Sequence, residues 1–169
     1  MVTLVVRILI LLGKRLANYR NMIFWFTGQP GSGKTTLGKA LSEQLVNAFH
    51  IDGDDIRGLS HNADYSEQGR INNIRMAQSI AMYLDNKGQD VVVSIVAPYR
   101  WLREEFKDRH KVNEIYLHTT EKRGKEQYFA KDYEPPQDNF LDMETTAVSV
   151  DDCIGQIVKE FLEWNALYS

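Results

Sequence analysis

Residues 28–35 read GQPGSGKT and match the phosphate-binding loop pattern G-x-x-x-x-G-K-[ST]. The glycines let successive backbone N–H groups turn towards phosphate oxygens, and the start of the following helix adds the positive end of its dipole. In this pattern the lysine, Lys34, contacts the β- and γ-phosphates, and the Thr35 hydroxyl is a ligand of Mg²⁺. The segment therefore predicts a nucleoside triphosphate site. Its predicted residues are Gly28, Gly31, Ser32, Gly33, Lys34, Thr35 and Thr36.

Two carboxylates, Asp52 and Asp54, flank a glycine at the end of a second predicted strand. A carboxylate in this place accepts a proton from a hydroxyl group or orders the water shell of Mg²⁺. The alternative is a solvated Asp-Gly turn, which is common in proteins. The phosphate loop upstream favours the catalytic interpretation.

Several arginines and tyrosines are candidates for binding an anionic substrate. Guanidinium groups bind phosphate or sulfate with two parallel hydrogen bonds, although most surface arginines are only solvated charges. Tyrosine rings stack on bases, although a packing role is the ordinary alternative. The candidates are Arg57, Arg70, Arg75 and Arg100 for the anion, with Tyr65 and Tyr99 for a base.

Strands and helices alternate along the chain, which predicts a three-layer α/β domain with a mostly parallel central sheet. The predicted strands are 22–27, 48–51, 91–96 and 112–117, and the predicted helices are 34–47, 67–87, 99–109 and 150–165. In such sheets ligands bind at the carboxyl ends of the strands. We therefore expect segments 28–35, 50–57 and 97–100 to line one edge of the sheet.

The sequence has 169 residues, a formal net charge of −3, four histidines and one cysteine. Its length fits one domain, which we place at residues 22–169. The weak negative charge gives no indication of a nucleic-acid partner, and the histidines lack the spacing of metal ligands. A single cysteine excludes an internal disulfide and favours a reducing cytoplasm.

Residues 1–21 form an extension ahead of this domain. The apolar run at 2–12 is interrupted by Arg7 and is shorter than the roughly 20 apolar residues of a membrane span. No small-residue cleavage site follows it, which argues against a signal peptide. An ordered extra helix, a peripheral membrane anchor and an unphysiological leader are the three interpretations left open.

Four segments in this order resemble the adenylyl-sulfate kinase family of P-loop kinases. The family's phosphate loop is matched at 28–36, and its DGDxxR segment is matched by DGDDIR at 52–57. YSEQGRINNIR at 65–75 is similar to the family's helix that carries Arg, Asn and Arg, and APYR at 97–100 is similar to its SPYR. The resemblance runs from Met22 to Trp164, and the combination is far more specific than the phosphate loop alone.

The resemblance implies a P-loop NTPase fold and transfer of phosphate from MgATP to the 3′-hydroxyl of adenosine 5′-phosphosulfate, a step of sulfate assimilation. It makes Asp52 the base or orienting carboxylate, with support from Asp54 and with Lys34 on the ATP phosphates. It also implies a cytoplasmic enzyme and allows a homodimer. The substrate residues it implies are Asp54, Arg57, Tyr65, Arg70, Asn73, Pro98 and Tyr99.

Two departures from the family pattern leave the acceptor open. Ala97 stands where the family has serine, so a phosphoserine form at this site is impossible while direct transfer is not affected. The lid segment at 119–132 is shorter than in the family, and Arg123, Lys125 and Phe129 are its candidate substitutes, with Arg123 assigned to ATP. Two alternatives follow: a P-loop kinase acting on another hydroxyl, such as that of a nucleoside or sugar, and a non-catalytic nucleotide-binding module.

Overall fold

The structure is a computed structural model that describes residues 21–45 and 47–163, with side chains as far as Phe161. The expectations for the extension at 1–21 therefore lie outside the described residues, apart from Asn21. The strands are β1 (Ile23–Thr27), β2 (Ala48–Asp52), β3 (Asp90–Ser94), β4 (Val112–His118) and β5 (Phe140–Glu144). The helices are α1 (Lys34–Gln44), α2 (Gly53–Ser60), α3 (Glu67–Asn86), α4 (Arg100–Arg109) and α5 (Val150–Ile157), with a 3₁₀ turn at Glu126–Tyr128.

The five strands form one parallel sheet in the order β2-β3-β1-β4-β5. Strand β1 lies at its centre, where Ile23 pairs with Val91 of β3 and with Val112 of β4. All five residues of β1 are buried, as expected for a central parallel strand that is covered on both faces. The loops that follow β1, β2 and β3 therefore meet at one edge of the sheet.

Alternate side chains of β1 belong to two separate hydrophobic cores. Ile23 and Trp25 pack with apolar residues of α2, α3 and α4 on one face of the sheet. Phe24 and Phe26 pack with residues of α1 and α5 on the other face. The three-layer α/β fold predicted from the sequence is confirmed. Within the described ranges, no helix is both long enough and apolar enough to cross a membrane.

Some predicted boundaries are wrong at the ends of elements. Helix α1 ends at Gln44 and not at 47, because Leu45 has an extended backbone. Strand β3 ends at Ser94 and not at 96, since the chain then turns through Ala97, which has φ 41°. The closing helix is α-helical only to Ile157 and continues as a π-helical segment at Val158–Glu163.

Two further elements were not predicted. Helix α2 is eight residues long and begins at Gly53, directly after its N-cap Asp52, whose side chain accepts a hydrogen bond from the Asp54 N–H. Strand β5 lies at the edge of the sheet, and Met143 is its single buried residue. Neither element has the long apolar pattern that marks the others.

Candidate active site

Glycines set the course of the phosphate loop between β1 and α1. Gly28 has φ 144°, and a Cβ atom at this position would lie 2.1 Å from the carbonyl oxygen of Leu117. Gly33 has φ 99° and caps the N-terminus of α1. An L-residue would be strained at both positions, so the tight curl of the loop requires glycine there.

Lys34 lies inside the loop with only 8% of its surface exposed. Its Nζ donates to the Gln29 carbonyl at 2.7 Å and to the Ser32 hydroxyl at 3.4 Å. Burial lowers the pKa of Lys34 to about 8, and the negative charges of Asp52 and Asp54 oppose part of this effect. The charged form of Lys34 is therefore stabilised by the carboxylates of Asp52 and Asp54.

A hydrogen bond joins the phosphate loop to the end of β2. The Thr35 hydroxyl donates to Oδ2 of Asp52 at 2.7 Å, and Oδ1 of Asp52 accepts from the Asp54 N–H at 2.9 Å. The predicted Mg²⁺ ligand and the predicted base are therefore direct neighbours. Asp54 is exposed in the first turn of α2.

The oxygens of Thr35 and Asp52 suit Mg²⁺, which prefers hard oxygen ligands and keeps several waters. Within the part of the chain that the structure describes, no three His, Cys, Asp or Glu side chains are grouped so that they alone would hold a metal ion. A magnesium ion that also uses phosphate oxygens as ligands fits this sparse set of donors.

The start of α1 is also held from β3. The Ser94 hydroxyl donates to the Lys34 carbonyl at 2.9 Å and contacts Nε2 of His50 at 2.9 Å. Burial lowers the pKa of His50. A Cβ atom on Gly38 would lie 2.2 Å from the Ser94 hydroxyl oxygen, so α1 approaches these side chains closely.

Two guanidinium groups face the ring of Tyr65. The Arg57 carbon Cζ lies 4.1 Å from the ring centroid, and that of Arg70 lies 5.8 Å away. Arg57 donates to the carbonyls of Asn62 and Asp64 at 3.1 and 2.7 Å, and Arg70 donates to the Tyr65 carbonyl at 3.0 Å. The structure thus brings three predicted substrate residues into one cationic, aromatic cluster, formed by α2, the start of α3 and the loop between them.

Three further predicted substrate residues, Asn73, Pro98 and Tyr99, are buried. Asn73 donates from Nδ2 to the Gly53 carbonyl at 3.1 Å, and its buried Oδ1 has no hydrogen-bond partner within the described ranges. Tyr99 lies in the core that contains α3 and α4. Burial, together with a hydrogen bond to Asp132, raises the pKa of Tyr99 to about 12. Pro98 is buried beside it, and its carbonyl accepts from the Glu134 N–H at 2.9 Å.

Arg123 supports the phosphate loop from the short segment 119–132. It donates to the Glu121 carboxylate, to the Gly31 carbonyl and to both the hydroxyl and the carbonyl of Thr145. These bonds use all five N–H groups of the guanidinium. The assignment of Arg123 to ATP stays a prediction, whereas its contact with the loop backbone is direct. Lys125 and Phe129, the other candidates in this segment, are exposed.

Sequence reasoning missed Thr145 and the side chain of Gln29. The Thr145 hydroxyl donates to the Ser32 carbonyl at 3.0 Å, and the Gln29 amide bonds to the backbone of Ala130. Thr145 belongs to no motif, and its role follows only from the position of β5. Gln29 occupies a variable position of the phosphate-loop pattern. Its long polar side chain is the only feature of the sequence that indicates a hydrogen bond to another segment.

Two candidate arginines, Arg75 and Arg100, contact other parts of the chain. Arg75 forms an ion pair with Glu105 and packs beside Trp101. Arg100 donates to the Pro135 carbonyl at 3.2 Å. Both side chains are therefore engaged by α4 and its surroundings.

The family model described as adenylylsulphate kinase matches residues 20–136, a range that contains the phosphate loop, Asp52 and the Tyr65 cluster. This chain belongs to the adenylylsulphate kinase family. It is therefore a kinase, a phosphotransferase with the P-loop NTPase fold, and the resemblance noted in the sequence is confirmed. The non-catalytic alternative is not supported.

Curated relatives in the family cover most of the chain. An adenylyl-sulfate kinase of Staphylococcus carnosus is 31% identical over an alignment of 172 positions, gaps included, that covers 86% of this chain and 85% of the relative. An adenylyl-sulfate kinase of Prochlorococcus marinus is 31% identical over an alignment of 173 positions, gaps included, that covers 87% of this chain and 86% of the relative.

Solved structures of family members share the fold. The APS kinase CysC of Mycobacterium tuberculosis, in complex with AMPPNP and APS, aligns with a TM-score of 0.74 at 23% identity, over 83% of this chain and 96% of its own. The hexameric APS kinase of Thiobacillus denitrificans aligns with a TM-score of 0.69 at 26% identity, over 85% of this chain and 29% of its own.

This member of the adenylylsulphate kinase family has an unusual loop after β3. Ala97 is buried and has φ 41°, a left-handed conformation that is uncommon for residues other than glycine. Its carbonyl accepts a 2.5 Å hydrogen bond from Arg103, whose Nε bonds to Glu114 at 2.7 Å. Both side chains of this ion pair are almost fully buried. The loop after β3 is therefore held by a hydrogen bond from a buried, charged arginine.

Proposed function

We propose that this kinase transfers the γ-phosphoryl group of MgATP to the 3′-hydroxyl of adenosine 5′-phosphosulfate, giving 3′-phosphoadenosine 5′-phosphosulfate. The observation that carries the proposal is the 2.7 Å hydrogen bond between Thr35 and Asp52. It puts a carboxylate for the attacking hydroxyl beside the loop that is expected to hold the donor phosphates. Phosphoryl transfer needs this placement, because positioning and charge neutralisation supply most of the catalysis.

On the donor side, the loop backbone and Lys34 bind the ATP phosphates, and the Thr35 hydroxyl would be a ligand of Mg²⁺. The ion, when bound, neutralises charge on the phosphates and orients them. Lys34 is buried and has a lowered pKa, so bound phosphates stabilise its charged form. Asp52 orients the acceptor hydroxyl and takes its proton as the new bond forms.

On the acceptor side, Arg57 and Arg70 supply positive charge for the phosphosulfate end of the substrate. Both guanidinium groups already lie against the exposed ring of Tyr65, which offers a stacking surface for the adenine. The unpaired Oδ1 of Asn73 is a buried acceptor next to the start of α2. A polar substrate group that donates to this oxygen would remove an unsatisfied buried atom.

The relatives support the same assignment. Two curated relatives carry the name adenylyl-sulfate kinase, and the Mycobacterium tuberculosis structure contains AMPPNP and APS. The Thiobacillus denitrificans structure is described as hexameric, so self-association of this chain is part of the proposal. A homodimer, a cytoplasmic location and a role in sulfate assimilation stay predictions from the sequence.

A kinase for a different hydroxyl acceptor is the second candidate. It is favoured by the short segment at 119–132, which bonds to the phosphate loop through Arg123 and Ala130. A lid helps to select the correct acceptor. A change in the length of this segment could therefore change which acceptor the kinase uses.

Release of ADP from MgATP, measured with a panel of acceptors, tests both candidates. The panel contains adenosine 5′-phosphosulfate, AMP, adenosine and gluconate, and Lys34→Ala is the control for turnover at this site. We expect the highest kcat/KM with adenosine 5′-phosphosulfate and loss of that activity in the control. A higher kcat/KM with another acceptor would establish the second candidate, and no acceptor-dependent release would refute both.

A further inference from the structure

The side chain of Gln29 holds segment 119–132 against the phosphate loop. Its Oε1 accepts from the Ala130 N–H at 2.9 Å, and its Nε2 donates to the Ala130 carbonyl at 2.9 Å. Ala130 is 3% exposed, whereas the stretches 121–129 and 131–132 on either side of it are exposed throughout. Besides the bond from Arg123 to Gly31, the segment is therefore attached to the loop at a buried residue, through a pair of bonds that fixes both distance and orientation.

Contacts on either side of this attachment extend to both halves of the site. The Gln29 carbonyl accepts from Lys34 Nζ at 2.7 Å, on the donor side. Two residues beyond Ala130, the Asp132 carboxylate lies close enough to the Tyr99 hydroxyl to help raise its pKa, on the acceptor side. The next residue, Tyr133, shares a 2.8 Å hydrogen bond with Thr27 at the end of β1.

We propose that Gln29 is a positioning residue that sets the affinity for the acceptor by holding Ala130, although it lies in the loop that binds the donor. The inference rests on the proposed function, because it takes the phosphate loop as the donor site and the Tyr99 side as the acceptor site. Loss of the amide frees the backbone around Ala130 and with it the carboxylate that Tyr99 contacts. The bond from Lys34 goes to the Gln29 main chain, so a change of the side chain leaves it in place.

Gln29→Leu tests the proposal, because leucine removes both hydrogen bonds and keeps a side chain of similar size. Gln29→Glu is a second variant: its carboxylate still accepts from the Ala130 N–H but does not donate to the Ala130 carbonyl. Gln137→Leu makes the same chemical change at an exposed glutamine before β5 and serves as the matched control. Three quantities are measured: amide hydrogen exchange at Ala130 by NMR, the Kd of MgAMPPNP by calorimetry, and the acceptor KM.

In Gln29→Leu we expect exchange at Ala130 to become faster by about tenfold or more, since two buried bonds are lost. We expect the acceptor KM to rise by about tenfold, and the Kd of MgAMPPNP to change by less than about threefold. Gln29→Glu should also speed exchange at Ala130 and raise the acceptor KM, because its carboxylate leaves the Ala130 carbonyl without a donor, and Gln137→Leu should match the wild type. A general loss of structure would instead weaken binding of nucleotide and acceptor together.

Unchanged exchange at Ala130 in Gln29→Leu would overturn the proposal, and so would faster exchange with an unchanged acceptor KM. If Gln29→Leu does not fold, Gln29→Glu decides by the same two measurements. If the wild type does not phosphorylate adenosine 5′-phosphosulfate, the proposed function fails. The acceptor identified by ADP release then replaces it, so the role of Gln29 is still decided.

Discussion

The affinity of this kinase for MgATP should fall as the pH rises from 7 to 9, because Lys34 loses its proton in this range. Burial lowers the pKa of Lys34 to about 8 in the free protein. With that value, about nine in ten molecules carry the charged lysine at pH 7 and about one in ten at pH 9. Bound phosphates favour the charged form, so the pKa of Lys34 is higher in the complex.

The affinity falls as the pH rises because the complex binds more protons than the free protein. Above pH 8 the complex holds a proton on Lys34 that the free protein has lost, so a rise in pH weakens binding. The affinity should fall by about tenfold between pH 7 and pH 9, as long as the pKa in the complex lies above this range. The terminal phosphate of the nucleotide titrates near a pKa of about 6 and adds little above pH 7.

Calorimetry with MgAMPPNP in pairs of buffers that differ in ionisation enthalpy measures both the affinity and the proton uptake. Uptake should be about 0.1 proton at pH 7, about 0.5 at pH 8 and about 0.9 at pH 9. Lys34→Met is the control, since it lacks the titrating group and its residual affinity should not depend on pH. A wild-type affinity that stays constant from pH 7 to 9, without proton uptake, would refute the argument.

Three substitutions test the remaining parts of the site and its support. Asp52→Asn keeps the helix cap but removes the base. We expect kcat to fall by about 100-fold or more while the Kd of MgAMPPNP stays within about threefold. Equal losses in kcat and in affinity would contradict this role. Arg70→Ala should raise the acceptor KM by about tenfold in steady-state assays and leave the KM of ATP nearly unchanged, and an unchanged acceptor KM would exclude it from the substrate site. Glu114→Ala leaves Arg103 and Lys107 without their buried partner, so the free energy of unfolding in urea should fall by about 3–5 kcal/mol, and a loss below about 1 kcal/mol would show that water compensates these charges.

Most of the fold follows from local patterns in the sequence. The apolar runs of β1 and β3 are long enough to identify buried strands, and Asn86-Lys87-Gly88 marks the end of α3. Strand β5 escapes prediction because only Met143 is buried in it, and its register depends on pairing with β4. An edge strand of this kind is determined by its neighbour more than by its own residues.

The candidate site also contains residues that the sequence predicts and residues that it does not. Lys34, Thr35 and Asp52 are predictable, because their roles require particular residue types at fixed spacing on either side of a strand end. Thr145 and Gln29 are not, since each acts by bonding to backbone groups of a distant segment. Any residue with a suitable donor and reach could make such a bond, so the sequence carries no distinctive pattern for it.

The central position of β1 has a consequence for synthesis of the chain. Its apolar residues pair with Val91 and Val112, which are synthesised much later. At about 5–20 residues per second, this strand waits roughly 5–20 seconds for both partners. During that interval the apolar strand that leads into the phosphate loop has no partner, so binding of a chaperone to it should protect the nascent chain from aggregation.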